Sequence, residues 1–137
     1  MTKKSSKINS PNILALSAFG GLISVITGAL AAHGLKPILD SALLDNVHTA
    51  TRYLLFHAIF SIAVLQIEFI PESSKKLIAL LSIIGSYLFS CSIYLLVYLK
   101  HIDIDIPLFL ALITPLGGTV MVIAWLILFI KAIKKHA

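Results

Sequence analysis

The fold class this sequence predicts is an all-α integral membrane protein: a four-transmembrane-helix bundle with a short amphipathic interfacial segment between helices 1 and 2. Three observations carry that expectation. Hydrophobic residues make up 58% of the 137 positions and charged residues only 12%, against about a quarter charged in soluble domains. The apolar residues fall into four continuous runs, each near the roughly 20 helical residues that cross a hydrocarbon core of about 30 Å. Finally, lysines cluster between the runs and at the ends, where they act as topology signals. Strands of a membrane barrel would instead alternate apolar and polar residues over about ten positions.

In chain order, residues 1–11 form a basic tail and 12–32 the first helix, in one domain that extends over 12–130. The stretch 37–46, "PILDSALLDN", places Ile38, Leu39, Ala42 and Leu43 opposite Asp40 and Asp45, the pattern of one to two turns lying at the membrane surface. The second helix spans 49–70 and stops at Pro71; "PESSKK" is a polar turn. The third spans 77–99, "KHIDID" forms the next connection, and the fourth spans 106–130 before a second basic tail, 131–137. Pro115, Gly117 and Gly118 predict a kink in the fourth helix, because proline removes a backbone donor and clashes with the preceding turn. The carbonyls freed near Ala111 and Leu112 then need other partners.

Eight of the eleven basic residues lie in the two tails and the second connection. That asymmetry predicts cytoplasmic N- and C-termini. The first helix opens after lysines and ends near "ALAAH", which suggests a signal-peptide cleavage site. Its apolar core of about 20 residues exceeds the 7–15 of a secretory signal, however, so a retained helix is expected. Ser17, Gly21, Ser24 and Gly28, with Ala32, recur at steps of three and four and form a face of small residues for close helix packing. Gly34, followed by Lys36 and Pro37, predicts a left-handed helix cap after His33.

The polar residues inside the spans are the candidates for function. Counted at about 1.5 Å per residue, His33, His57, Ser90, Tyr94 and Thr114 fall in the outer half, with Arg52 above them. Tyr53, His57, Ser61, Val64 and Glu68 share one face of the second helix, and Ser82, Ser86, Ser90 and Tyr94 one face of the third. One reading is interhelical hydrogen bonding that fixes the packing. Another is a site, since intramembrane ionisable residues often mark solute or proton paths. Two histidines on neighbouring helices could also ligate a haem.

No phosphate loop, His-Glu-x-x-His pair or carboxylate pair at one depth is present, so no catalytic residue, metal site or cofactor is expected. Cys91, alone in an apolar run, reads as a packing residue. Asp103, Asp105, His48, His101 and His136 read as solvated, and Trp125 as a packing or lipid-facing ring. The net charge of +5 does not indicate nucleic acid, because the lysines flank spans and do not form a patch interleaved with aromatic residues.

Four ordered motifs carry a resemblance: Gly28-Ala-Leu-Ala-Ala-His-Gly-Leu-Lys36; Thr49-Ala-Thr-Arg-Tyr53 with Phe56-His57-Ala58; Ser90-Cys-Ser-Ile-Tyr94; and Ile113-Thr-Pro-Leu-Gly-Gly118. Together they are similar to the signatures of a small bacterial membrane family, domain of unknown function 423, which eukaryotic transmembrane protein 256 also resembles. Ala31, Leu54 and Cys91 depart from the pattern, standing where glycine, glutamine and glycine are usual. The resemblance implies four membrane helices in a bacterial cytoplasmic (inner) cell membrane and no established activity. The leading expectation is therefore a non-enzymatic protein in contact with the lipid bilayer that binds or transports a small polar or amphipathic solute at the polar cluster. The alternative is a structural or assembly protein that acts through helix contacts, as a homo-oligomer or with a membrane protein partner.

Overall fold

The computed structural model describes residues 10–134. Four helices succeed one another: α1 (Ser10–Ala32), α2 (Ser41–Leu65), α3 (Glu72–His101) and α4 (Leu108–Ile133). All four are long and apolar enough to span a membrane. Of the expected tails, residues 1–9 and 135–137 lie outside the described residues, while Ser10 and Pro11 open α1 and Lys131 is still within α4. α3 is the central element, packed along α2 and α4 and more lightly on α1, which in turn lies along α2.

The boundaries of α2 differ from expectation at both ends. The Asp40 carboxylate accepts the Leu43 N–H at 2.8 Å, an N-cap that starts the helix at Ser41. Residues 41–46, expected to lie at the membrane surface, are thus the opening of α2. Their apolar positions continue in phase, with Leu43, Val47, Ala50 and Leu54 buried along one face. At the far end, Gln66 N–H returns to Ala63 O and Ile67 N–H to Val64 O, tightening the last turn, and the Lys75 ammonium reaches Leu65 O at 3.3 Å.

α3 also starts early, because Pro71 presents its carbonyl to the N–H groups of Ser74 and Lys75. Glu72 sits in the first turn, where a negative charge complements the helix dipole. Its carboxylate receives the Ser10 hydroxyl at 2.9 Å and the ammonium groups of Lys75 and Lys76 at 3.1 and 3.2 Å. The opposite end closes with Ile104 N–H on Leu99 O and Asp103 N–H on Lys100 O, the pair of bonds of a Schellman cap. Asp103 takes the left-handed position at φ 53°. The expected cap at Gly34 does not form: no described glycine has positive φ. α1 instead ends through a wide turn in which Leu35 N–H bonds Leu30 O at 2.8 Å.

Two apolar clusters hold the ends of the bundle. Ile13, Val64, Ile78, Ala79 and Ala124 pack near the termini, and Ala31, Leu43, Val47 and Val97 near the α1–α2 connection. Between them the interior is built from small residues, with Ser17, Ser24, Ser61, Ser82, Ser86 and Ser90 fully buried. The packing face of α1 is displaced by one residue from the expected stripe. Ser17 and Ser24 are buried, but the glycine facing the bundle is Gly20, where an added Cβ would lie 3.3 Å from both Ile83 Cδ1 and the Tyr87 hydroxyl. Gly21 faces open space, and Gly28 leaves ordinary room beside Thr51.

α4 runs unbroken through Pro115, with the Thr119 hydroxyl returning to Pro115 O at 2.9 Å. At Gly117 and Gly85 the backbones of α4 and α3 approach closely. A Cβ on Gly117 would fall 2.5 Å from Phe89 N and 2.7 Å from Gly85 O.

Candidate functional site

Within hydrocarbon no water is available to satisfy a hydroxyl or an imidazole, so each needs a protein partner. The helices provide these at several levels. Near the α1–α2 connection the Tyr94 hydroxyl lies 3.2 Å from Thr27 Oγ1 and 3.0 Å from Thr51 Oγ1. Both threonines donate within their own helices, to Ile23 O and Val47 O, so Tyr94 supplies the proton shared between helices. Farther along, Ser90 donates to Ala50 O at 2.8 Å, and Ser92 and Thr114 join α3 to α4 at 2.7 Å. Nearer the termini, His57 Nδ1 lies 2.8 Å from Ser82 Oγ, and the Ser61 hydroxyl reaches Ala79 O at 3.0 Å.

The polar residues expected at one level therefore form a ladder. Ser82 and Tyr94 are twelve residues apart on α3, about 18 Å at 1.5 Å per residue. His57 belongs to the half of the bundle nearer the termini, away from Tyr94 and Thr114. His33 is exposed just beyond α1. Thr27 and Thr51 are level with each other, and each histidine lies six residues from its threonine in opposite directions. That separates the rings by about 18 Å, too far to ligate one iron. Among the described residues no three His, Cys, Asp or Glu side chains converge.

Arg52 is displaced from its expected position together with His57. The bonds from Ala50 to Ser90 and from His57 to Ser82 set α2 against α3 and place Arg52 near the level of Leu88, about 18 Å from the levels of both Lys76 and Lys100. The cause is the early start of α2, which draws Arg52 from the expected boundary to mid-span. The side chain is exposed on the bundle surface and has no hydrogen-bond or ion-pair partner among the described residues.

Beside it opens a cleft of about 640 Å³ between α2 and α4, lined by Arg52, Tyr53, Phe56, His57, Ile59, Phe60 and Trp125. Phe60 and Trp125 close one side with ring centroids 4.2 Å apart, and Tyr53 lies parallel to the His57 ring, backed by Phe89 at 4.9 Å. The Ser82 hydroxyl has one proton and two candidate acceptors, His57 Nδ1 at 2.8 Å and His57 O at 3.4 Å. The 2.8 Å contact fits either tautomer: Ser82 donates to Nδ1, or Nδ1–H donates to Ser82, whose own proton then turns to His57 O. In both cases Ser82 engages Nδ1, and Nε2, which has no partner among the described residues, is the ring nitrogen left for the cleft.

Sequence reasoning identified Arg52 and His57 but missed the cleft that brings them together. It also missed Thr27, Thr51 and Gly85. Thr27 lies on the buried face with Ile13, Ser17, Gly20, Ser24 and Ala31, and its 3–4 spacing is the signal that could have found it.

A family model described as "Protein of unknown function (DUF423)" matches residues 27–118. Similar proteins include a UPF0382 membrane protein of Haemophilus influenzae, 34% identical over 124 residues, which are 90% of this chain and 95% of the relative. One from Bacillus subtilis is 33% identical over 88% of this chain and 95% of its own length. One from Schizosaccharomyces pombe is 38% identical over 80% and 92% respectively. No solved structure matches.

Proposed function

Because the chain belongs to the DUF423 family of UPF0382 membrane proteins, we propose that it acts within the bilayer as a binding protein for an amphipathic molecule. That molecule enters from the lipid into the α2–α4 cleft and is not chemically transformed there. The observation that carries this reading is Arg52. A guanidinium at mid-span costs at least about 2.5–3.5 kcal/mol, and here it has no counter-charge among the described residues while lining a concave space within the range of about 300–1,000 Å³ usual for small-molecule pockets. His57 adds a polar ring nitrogen, and Tyr53, Phe56, Phe60 and Trp125 supply apolar walls. Of the other residues expected in the polar cluster, Ser90, Tyr94 and Thr114 are engaged in helix-to-helix bonds, which supports a packing role for them. The lysine distribution supports a cell-membrane location with both termini in the cytoplasm.

The test is thermal unfolding of the purified protein in mild detergent with palmitic acid, hexadecanol and hexadecylamine. At least one should raise the midpoint in a saturable manner. An Ile59→Trp variant, which fills the cleft from an exposed position, should abolish the rise. No shift with any of them, or an equal shift in the filled variant, would reject the reading.

A further inference from the structure

We propose that the ligand of the α2–α4 cleft is a single-chain amphiphilic carboxylic acid. Its carboxylate is held by Arg52 and His57, and its apolar body lies against the aromatic wall; this rests on the binding reading above. Three observations lead to that chemistry.

The first is charge. Arg52 carries one positive charge at mid-span with no counter-ion among the described residues, which calls for a monoanion. The chain itself does not provide one at that depth. Its six acids are Asp40, Asp45, Glu68, Glu72, Asp103 and Asp105, all in connections or near helix ends. Asp45, the nearest in level, is seven residues away, about 10 Å along the axis. A second copy in the same orientation would bring its acids to the same unsuitable levels, so the anion comes from another molecule.

The second observation is depth. The phosphates of ordinary phospholipids lie at the membrane surface, about 15 Å from the middle of the hydrocarbon core. The Arg52 arm leans toward the Ser41 end of its helix and shortens that distance without closing it. An anion that reaches the cleft must therefore have a body soluble in the core, as an acyl acid does.

The third is the donor set. The guanidinium presents parallel N–H groups that match the two oxygens of a carboxylate. His57 Nε2, left free by the contact of Nδ1 with Ser82, adds an uncharged donor in the tautomer that a bound carboxylate selects. Phe56, Ile59, Phe60 and Trp125 then receive the chain.

Trp125 is the only tryptophan in the sequence and lines the cleft, so its fluorescence reports occupancy directly. Full-length protein in mild detergent is titrated with 9,10-dibromostearic acid, whose bromines quench indole on contact, and with the methyl ester of that acid. The acid should quench Trp125 saturably and palmitic acid should reverse the quenching, while the ester should bind at least tenfold more weakly. Arg52→Gln should weaken the acid at least tenfold, and Arg52→Lys, which keeps the charge but not the fork, should fall between. Arg52 is exposed, so these variants leave the packed interior untouched.

If acid and ester quench alike and Arg52→Gln changes neither, the carboxylate assignment is overturned and the binding cleft stands. If no amphiphile quenches saturably, both are overturned. A native mass that shows a second protein copy lost specifically in Arg52→Gln would assign the cation to a partner helix and overturn the acid as well.

Discussion

Gly117→Ala tests a close backbone contact between α4 and α3. The new Cβ would lie 2.5 Å from Phe89 N, 2.7 Å from Gly85 O and 2.9 Å from Phe89 Cα. All three are backbone atoms of α3, so no side-chain rotation relieves the overlap. Restoring ordinary contact at 3.4 Å means moving α4 off α3 by about 0.9 Å at this point. A radial gap of about 0.5–1 Å forfeits a quarter to a half of the dispersion energy of the atoms it separates. It also stretches the 2.7 Å Ser92–Thr114 bond between the same two helices. Overpacking of this kind costs about 1–3 kcal/mol, and a rigid backbone target places Gly117→Ala near 3. Reversible unfolding in mixed detergent micelles, followed by circular dichroism, measures it. Gly118→Ala is the control: its nearest neighbour would be Phe89 Cδ2 at 3.9 Å, so it should be neutral or gain up to about 1 kcal/mol from helix propensity. A Gly117→Ala protein as stable as Gly118→Ala would refute the reasoning.

Ser17→Ala should stabilise the bundle by about 0.5–1 kcal/mol in the same assay, because the Ser17 hydroxyl is fully buried and has no partner among the described residues; a loss of stability would point to an unseen partner. His57→Ala and Ser82→Ala should each cost about 0.5–2 kcal/mol, with the double mutant clearly non-additive because they share one bond; strict additivity would count against that pairing. Asp103→Gly should gain about 0.5–1 kcal/mol by relieving the left-handed backbone at φ 53°, and Asp103→Val should lose stability. In a Cys91→Ala background, cysteines at Ser74 and Asp103 should label from opposite sides of the membrane, Ser74 from the cytoplasm; labelling of both from one side would overturn the topology.

Hydropathy was sufficient to identify the four spans, because composition dominates when the solvent is lipid. It failed at the start of α2. There Asp45, Asn46, His48 and Arg52 depress the local average, while the true signal was a cap, Asp40 followed by Leu43 and Val47 in helical phase. That one boundary carried the site error, since shifting α2 by eight residues moved Arg52 and His57 down the membrane and away from Tyr94 and Thr114. In α1 the sequence offers two interleaved small-residue stripes, one through Gly21 and Gly28, the other through Gly20 and Thr27. Spacing alone does not choose between them, because the choice depends on which face Leu54, Ile83 and Tyr87 present from α2 and α3. The hydrogen bonds from Ser10 to Glu72 and between His57 and Ser82 are likewise set by tertiary register, which no local pattern encodes, whereas the Glu72 pairs with Lys75 and Lys76 follow from i,i+3 and i,i+4 spacing.

The most direct measurement is native mass spectrometry of the protein ejected from its own membranes without prior delipidation, comparing wild type with Arg52→Gln. The binding account predicts a small-molecule adduct on the wild-type chain whose occupancy falls at least tenfold in the variant. A wild-type chain free of adduct, or an adduct retained equally by both, would contradict it.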